Sequence, residues 1–375
     1  MSARRVTLVD VANAAGVSRT TASLVLSGRG RELRISSEVQ QRIRRTAEEL
    51  KYRPNAVSRD LRTGTTRTIG FISDTVATSR LAGDMIKGAL EAARDHGFLL
   101  FIGETEGDPG LAHDLLQAMT DRQVDGVVLA YMYTQTIAVP PLLDATRSVL
   151  LNALPESAAP VVSVIPDEVE AGRAAARILL DAGHREEIHL IGAGPGITDV
   201  PPGGVAAVER LQGMREVFGA AGVEIASGRL CAEWLPDDGL RATTALLHTN
   251  RPRALVCFND RLAVGAYQAV EDAGLSIPSD VSVVSFDDHP VASWIRPKLT
   301  TIALPHYELG RTAVELLLGD GDQPSSRRTP VGTTVRVPMA GRHRDSVATP
   351  QSSARDGSFD GTGVEVDLVP DDGER

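Results

Sequence analysis

The sequence predicts two fold classes in one chain: an all-α helix-turn-helix head and an α/β body of doubly wound parallel sheets. Three observations carry this. The charge is split along the chain, the first residues show helical periodicity across a glycine turn, and from Ile69 apolar runs alternate with helical stretches. The 375 residues, 42% hydrophobic and 23% charged, suffice for two or three packed domains. Cys231 and Cys257 are the only cysteines, too few for a disulfide framework or a cysteine-based zinc site. No apolar run reaches the length of a spanning helix. Polar residues interrupt MSARRVTLVDVANAAGVS, so it does not read as a secretion signal. These features predict a cytoplasmic protein.

The net charge of −10 conceals an asymmetry. Residues 1–67 hold 14 basic and 6 acidic side chains, a net of +8, and the remainder carries −18. A basic head on an acidic body suggests a polyanion-binding module joined to a second function. On charge alone, a solvated helical head is an equal alternative.

Within the head, Thr7 and Asp10 have capping-box spacing. Leu8, Val11, Ala12 and Ala15 then form one apolar helix face. Gly16 suits the turn because it accepts positive φ. Ser18 is an N-cap for a second helix that presents Arg19, Thr20, Thr21 and Ser23 outward, with Ala22, Val25 and Leu26 inward. Such a helix fits the major groove, where Arg, Thr and Ser bond base edges and phosphates. A third helix, about Ser36 to Lys51, has Val39, Ile43, Ala47 and Leu50 as its buried stripe. Arg42, Arg44 and Arg45 lie off that stripe and serve solubility as readily as phosphate contact. Pro54 ends the helix.

The run VTLVDVANAAGVSRTTASLVLSG, followed by EELKYRPNAVSRDLRTGTTRTIGFI, resembles the N-terminus of the LacI/GalR family of bacterial transcription regulators. The landmarks T-L-x-D-V-A-x-x-A-G-V-S, Y-x-P-N, L-R-T-G-x-T and I-G recur in order, and the likeness extends to about Asp345. It implies a DNA-binding domain over 1–54 and a hinge helix with linker over 55–67. The resemblance places Thr7, Ser18, Arg19, Thr20, Thr21, Ser23, Leu24, Asn55, Arg59 and Leu61 at DNA. Leu61 would wedge between base pairs in the minor groove. A seven-residue hinge is too short to be a stable isolated helix, so it is expected to order only on DNA. The sequence departs from the family in three places here. Leu24 stands where arginine is frequent, Ser58 replaces a frequent alanine, and SGRGRELRIS is about three residues longer than in the best-known members. Its Arg29, Arg31 and Arg34 either add phosphate contacts or form a plain basic loop.

In the body, IGFIS, FLLFI, GVVLAY, SVLLN, VVSVI, EIHLIG, ALVCF and VSVVSF read as buried strands. Helical stretches at 81–96, 168–182, 205–220 and 260–273 separate many of them, as in parallel α/β sheets. The resemblance implies two lobes like those of periplasmic binding proteins over 68–345, with the chain crossing near 165, 296 and 330. Lobe 1 would hold 68–165 and 297–330, and lobe 2 would hold 166–296 and 331–345. Ligands of such sheets bind at the carboxyl ends of strands, and facing lobes close on them. Polar residues just after strands are therefore candidates: Asp74, Asn152, Asn259, Asp260, Asp287 and Asp288. Arg210 and Trp234 join them from a helix and a loop. The motifs R-x-x-G-M, F-N-D-x-x-A-x-G and F-D-D make Arg210, Asn259 and Asp287 the firmest effector contacts, ahead of Asp74, Asn152 and Trp234. Asp260 and Asp288 suit capping better, and Trp234 suits lobe packing equally. Leu304 replaces a common glutamine, and Ala130 stands where some members have asparagine, which points to a less hydroxylated ligand.

Metalloprotease, P-loop and nucleophile-elbow motifs are missing from the sequence. Gly192-Ala193-Gly194-Pro195-Gly196 has the wrong spacing for a dinucleotide loop and reads as a flexible cleft loop. His184 reads as a helix-end cap. No metal or cofactor is expected. Residues 346–375 carry seven acids and two arginines and read as a disordered acidic tail. The resemblance thus implies a homodimeric, effector-controlled regulator of operator DNA, most simply a repressor, with double-stranded DNA and a sugar-like small molecule as partners. The alternatives are a sugar-binding or sugar-processing protein without operator binding, or a transport binding protein.

Overall fold

The computed structural model describes residues 6–52, 64–79, 82–143, 146–196, 198–319 and 332–350. Pro54, the hinge residues Asn55, Ser58, Arg59 and Leu61, and the tail from residue 351 lie outside them. The chain forms two compact units, Met1–Ile165 with His306–Val335, and Pro166–Pro305 with Arg336–Arg375.

The head, within the first unit, has three helices: α1 (Leu8–Ala14), α2 (Arg19–Leu26) and α3 (Ser37–Glu49). Each starts on a hydroxyl cap. Thr7 and Asp10 form the expected capping box, Ser18 Oγ accepts from the Thr21 N–H at 3.0 Å, and Ser36 Oγ accepts from the Val39 N–H at 3.4 Å. Gly16 turns the chain at φ +65°. Ala12, Ala15, Ala22, Val25 and Ile43 form the small core, with Leu8, Val17, Leu26, Ile35 and Val39 against it.

The rest of the first unit is built from β1 (Thr68–Ser73), α4 (Gly83–Asp95), β2 (Leu99–Glu104), α5 (Pro109–Asp121), β3 (Gly126–Ile137), β4 (Ser148–Pro155) and β5 (Val162–Pro166). The second unit follows with α6 (Glu168–Ala182), β6 (Ile188–Gly192), α7 (Val205–Ala220), β7 (Ile225–Leu230), α8 (Pro236–Thr249), β8 (Ala254–Cys257), α9 (Asp260–Asp272), β9 (Ser282–Asp287), α10 (Val291–Trp294) and β10 (Thr300–Ala303). The chain then returns for α11 (His306–Leu318) and ends with β11 (Thr334–Val337) and β12 (Ala340–Arg342). One sheet runs β11-β5-β4-β3-β1-β2, the other β12-β10-β9-β8-β6-β7. Neighbours from β1 to β5 and from β6 to β10 pair in parallel, while β12 is antiparallel to β10. All eight apolar runs are strands. The crossing expected near 296 differs from the unit boundary at 305/306, because β10 stays in register with β9.

Helices meet through paired glycines. At the α4–α11 crossing a Cβ on Gly88 would lie 2.0 Å from Tyr307 O, and one on Gly310 would lie 1.8 Å from Met85 O. The same exchange joins α6 to α7, with Gly172 against Arg210 O at 2.0 Å and Gly213 against Val169 O at 1.9 Å. It recurs between α8 and α9, with Gly239 against Leu262 O at 2.1 Å and Gly265 against Pro236 O at 1.9 Å. With no Cβ on either side, the backbones approach more closely than side-chain ridges allow.

The segment Ser346–Ala348, expected to belong to a disordered tail, is seated on the second sheet. The Ser346 hydroxyl is fully buried, accepts from the Thr300 N–H at 2.8 Å and donates to Val283 O at 2.6 Å. His184 follows the left-handed Gly183 cap of α6 and lies 3.0 Å from both Ser282 Oγ and Ala348 O. Burial holds its imidazole below the usual histidine range. These are backbone and hydroxyl bonds, which a composition argument does not register.

Two substitutions in α7 should act in opposite directions. Gly213→Ala forces α6 and α7 apart and should cost about 1–3 kcal/mol. A Cβ on Gly219 meets nothing within 4 Å, so Gly219→Ala should add about 0.5–1 kcal/mol. Denaturant unfolding of both variants checks the sign. Ser346→Ala strands the Thr300 N–H and should cost about 1–3 kcal/mol by the same measurement.

Candidate DNA interface and effector site

In the head, Arg19 and Thr20 are exposed at the start of α2, and Thr21, Ser23 and Leu24 are half-buried. Ser18 and Thr21 bond each other at 2.8 Å as well as sharing the cap, so their first task is to start the helix. Thr7 is likewise held by Asp10, whose carboxylate accepts from its N–H and hydroxyl at 2.8 Å. Arg19 has no acidic partner among the described residues. Arg45 is tied to Glu49 at 2.9 Å.

In the first unit, Asp74 directly follows β1. Its carboxylate accepts from the N–H groups of Thr75 and Met132, at 2.5 and 3.0 Å. Burial raises its pKa against those two bonds. Asn152 sits in β4 at φ +55°, beside the irregularity in the β3–β4 register, and is 3% exposed. Its Nδ2 donates to Tyr131 O at 3.0 Å, and its buried Oδ1 has no partner. Ala130 is fully buried in β3.

In the second unit, Arg210 is the centre. The glycine crossing of α6 and α7 brings its backbone against Gly172. Its guanidinium forks onto Glu168, with Nε at 2.7 Å from Oε2 and Nη2 at 2.9 Å from Oε1. Nη1 donates to Phe258 O at the end of β8, and the plane lies 4.4 Å over the Phe286 ring. Asp287, the last residue of β9, places Oδ1 3.7 Å from Nη2 and keeps its side chain a quarter exposed. Arg210 and Glu168 are both almost fully buried. Burial pushes the Asp287 and Asp260 carboxyls upward, an effect that Arg210 opposes at Asp287.

Asn259 caps α9. Its Oδ1 accepts from the Leu262 N–H at 2.8 Å and its Nδ2 donates to Trp234 O at 3.1 Å. Both ends of this amide are therefore spent inside the unit. Trp234, at φ +53°, donates from Nε1 to Gly192 O at 3.1 Å and meets Phe258 edge-on at 5.7 Å. Asp260 is not the cap. It is fully buried and accepts from the His289 N–H at 2.7 Å and the Thr301 hydroxyl at 2.8 Å. Asp288 pairs with Arg344 at 2.5 Å and Arg342 at 3.3 Å. The glycine loop after β6 is tied by Asp199, whose carbonyl accepts from the Gly194 N–H at 2.7 Å and whose carboxylate accepts from the Gly196 N–H at 3.1 Å.

Glu168, which no sequence motif marks, is the partner of the candidate Arg210. It follows β5 closely, as the other candidate acids follow their strands. A buried arginine also requires an acid. Among the described residues no group of acids, histidines and cysteines could hold a metal, and no helix is long and apolar enough to cross a membrane.

The family described as bacterial regulatory proteins, lacI family, matches residues 7–55, and the periplasmic binding protein-like domain matches residues 176–347. The HTH-type transcriptional repressor PurR of Photobacterium profundum is 31% identical over 326 residues, covering 83% of this chain and 91% of the relative. The ribose operon repressor of Haemophilus influenzae is 32% identical over 321 residues, covering 83% and 91%. The crystal structure of the lac repressor dimer bound to operator and the anti-inducer ONPF superimposes with a TM-score of 0.74 at 24% identity, covering 92% of this chain and all of that one. At that identity the likeness is one of fold. The sequence relatives, matched over most of their length, establish the rest: the chain belongs to the lacI family of bacterial regulatory proteins.

Proposed function

We propose that the chain is a cytoplasmic, homodimeric transcriptional repressor. Its two heads bind an operator in duplex DNA, and a small uncharged sugar-like metabolite held by the body sets that affinity. The observation that carries the DNA half is the head itself. Residues 1–67 carry a net charge of +8, and within them a capped three-helix unit leaves Arg19 and Thr20 exposed at the start of α2. Arg and Thr at that position suit base edges and phosphates of the major groove. Two-fold symmetric operators require two heads, which supports the dimer. Relatives that share 83% of the chain are named repressors, one of them of a ribose operon.

The effector half rests on the chemistry at the strand ends. Arg210 is already neutralised by Glu168, so it offers hydrogen bonds without a free positive charge. In the same unit Asp287 supplies an acceptor and Trp234 an apolar face, a set that fits hydroxyls better than an anion. In the first unit, taken by itself, Asp74 supplies an acceptor at the end of β1. Asn259 contributes by holding Trp234. The effector acts by linkage: whatever it binds more tightly in one conformation, it populates.

The DNA reading is tested with the full chain and a duplex from upstream of its own gene. Neutralising some 6–10 phosphates predicts an affinity loss of roughly 10³–10⁵-fold between about 50 and 200 mM salt. A variant lacking residues 1–67 should not bind. Salt-independent binding, or turnover of a glycoside by the purified chain, would favour the sugar-processing alternative. For the effector, a screen of sugars should find one that stabilises the fold by about 2.7 kcal/mol at a hundredfold excess over Kd. Asp287→Asn should abolish that thermal shift while leaving DNA affinity without effector unchanged.

A further inference from the structure

The turn joining α2 to α3 spans Ser27 to Ile35 and holds two arginines, Arg31 and Arg34, that lie in neither helix. Its backbone closes on itself. The Leu33 N–H donates to Arg29 O at 3.3 Å, Arg34 N–H to Arg31 O at 3.1 Å, and Ile35 N–H to Gly30 O at 3.0 Å. Gln40 of α3 clips it, donating from Nε2 to Ile35 O at 2.7 Å. The same side chain packs on Gly30, where an added Cβ would fall 2.8 Å from Gln40 Cδ. The turn is therefore a folded piece.

Its charges are arranged asymmetrically. Arg29 is spent on Glu32 at 3.3 Å. Arg31 and Arg34 are exposed and have no acidic partner among the described residues. Arg34 closes the turn at φ +55°, the left-handed position that glycine fills most cheaply. The same left-handed φ recurs at Lys51, Arg67 and Glu187, so at Arg34 it marks where the turn closes.

The length of α2 places this turn relative to DNA. The eight residues of α2 span about 12 Å at 1.5 Å per residue, and the major groove of B-DNA is about 12 Å wide. A helix whose first turn meets base edges therefore leaves its last turn, and the segment after it, at the phosphate wall. We infer that Arg31 and Arg34 are a phosphate clamp flanking the major groove, a sequence-independent addition to each head. Guanidinium and phosphate match in fork geometry and charge. The clamp rests on the DNA-binding function proposed for the head.

The test uses full-length Arg31→Ala/Arg34→Gly, because glycine accepts φ +55° and keeps the turn folded, with thermal melting to check it. Arg31→Lys/Arg34→Lys is the charge-retaining control. Binding to a short random-sequence duplex, and to the fragment upstream of the chain's own gene, is measured across a salt series. Each phosphate that is no longer neutralised should flatten the slope of log K against log salt by about 0.9, so by about 3–4 for two arginines in each of two heads. The affinity should fall equally on both duplexes, and the lysine pair should keep the parent slope. An unchanged slope in the Ala/Gly variant overturns the clamp alone, as does a weakening confined to the upstream fragment or a lysine pair that fails to restore the slope. A parent chain that binds neither duplex overturns the clamp together with the DNA-binding function beneath it.

Discussion

Everything at the strand ends of the second unit is arranged around one buried ion pair. Arg210 and Glu168 are almost completely shielded from water, and bringing either in alone would cost several kcal/mol. The pair is tolerated because its hydrogen bonds are spent on each other and on Phe258 O, with the guanidinium flat on Phe286. Those partners come from α6, α7, β8 and β9. The ion pair thus fixes four elements against one another at the point where the parallel sheet delivers its carboxyl ends. It also leaves the guanidinium neutralised in place, so these strand ends carry no free positive charge from Arg210.

The glycine crossings are the condition for that pair. Gly172 and Gly213 let α6 and α7 touch through backbone, and this approach is what lowers Arg210 onto Glu168. The same device, used once in the first unit and twice in the second, gives the two units helix layers of similar depth from different sequences. Asn259 shows the site economising on polar groups. One amide starts α9 and anchors the Trp234 backbone, so a residue marked as a ligand contact by motif also holds its neighbour.

Legibility in the sequence followed apolar runs. Seven of the eight strands visible as such runs lie inside parallel sheets, where both faces demand aliphatic residues, and the eighth, β2, is an edge strand that keeps its apolar residues although Leu99, Phe101 and Ile102 are exposed. The strand β7, reading IASGRL, lies at a sheet edge with one side in water, and β10 to β12 are three or four residues long, so none leaves a periodic signature. Candidate residues were legible as positions after strands, because topology places them there whatever their role. What they bond was not: Glu168 as the partner of Arg210, Asp260 as a tie to Thr301, and Asp288 as a clamp on Arg342 and Arg344 are long-range pairings with no local pattern. In the head, caps and turn are local chemistry, and there the expectation from residues and the structure coincide in Thr7, Gly16 and Ser18.

The α4–α11 crossing has a consequence for synthesis. Its two halves, Gly88 and Gly310, stand on either side of nearly the whole second unit in chain order. While ribosomes extend the chain, the groove on α4 must wait uncovered until α11 emerges, by which time β6 to β10 are already available to pair. Nascent molecules can therefore pair β6 to β10 before α4 is covered, with β12 and Ser346 still to follow, so neither unit closes before the other has begun. The interval during which α4 lacks its mate is the period when a cell's chaperones have most to shield.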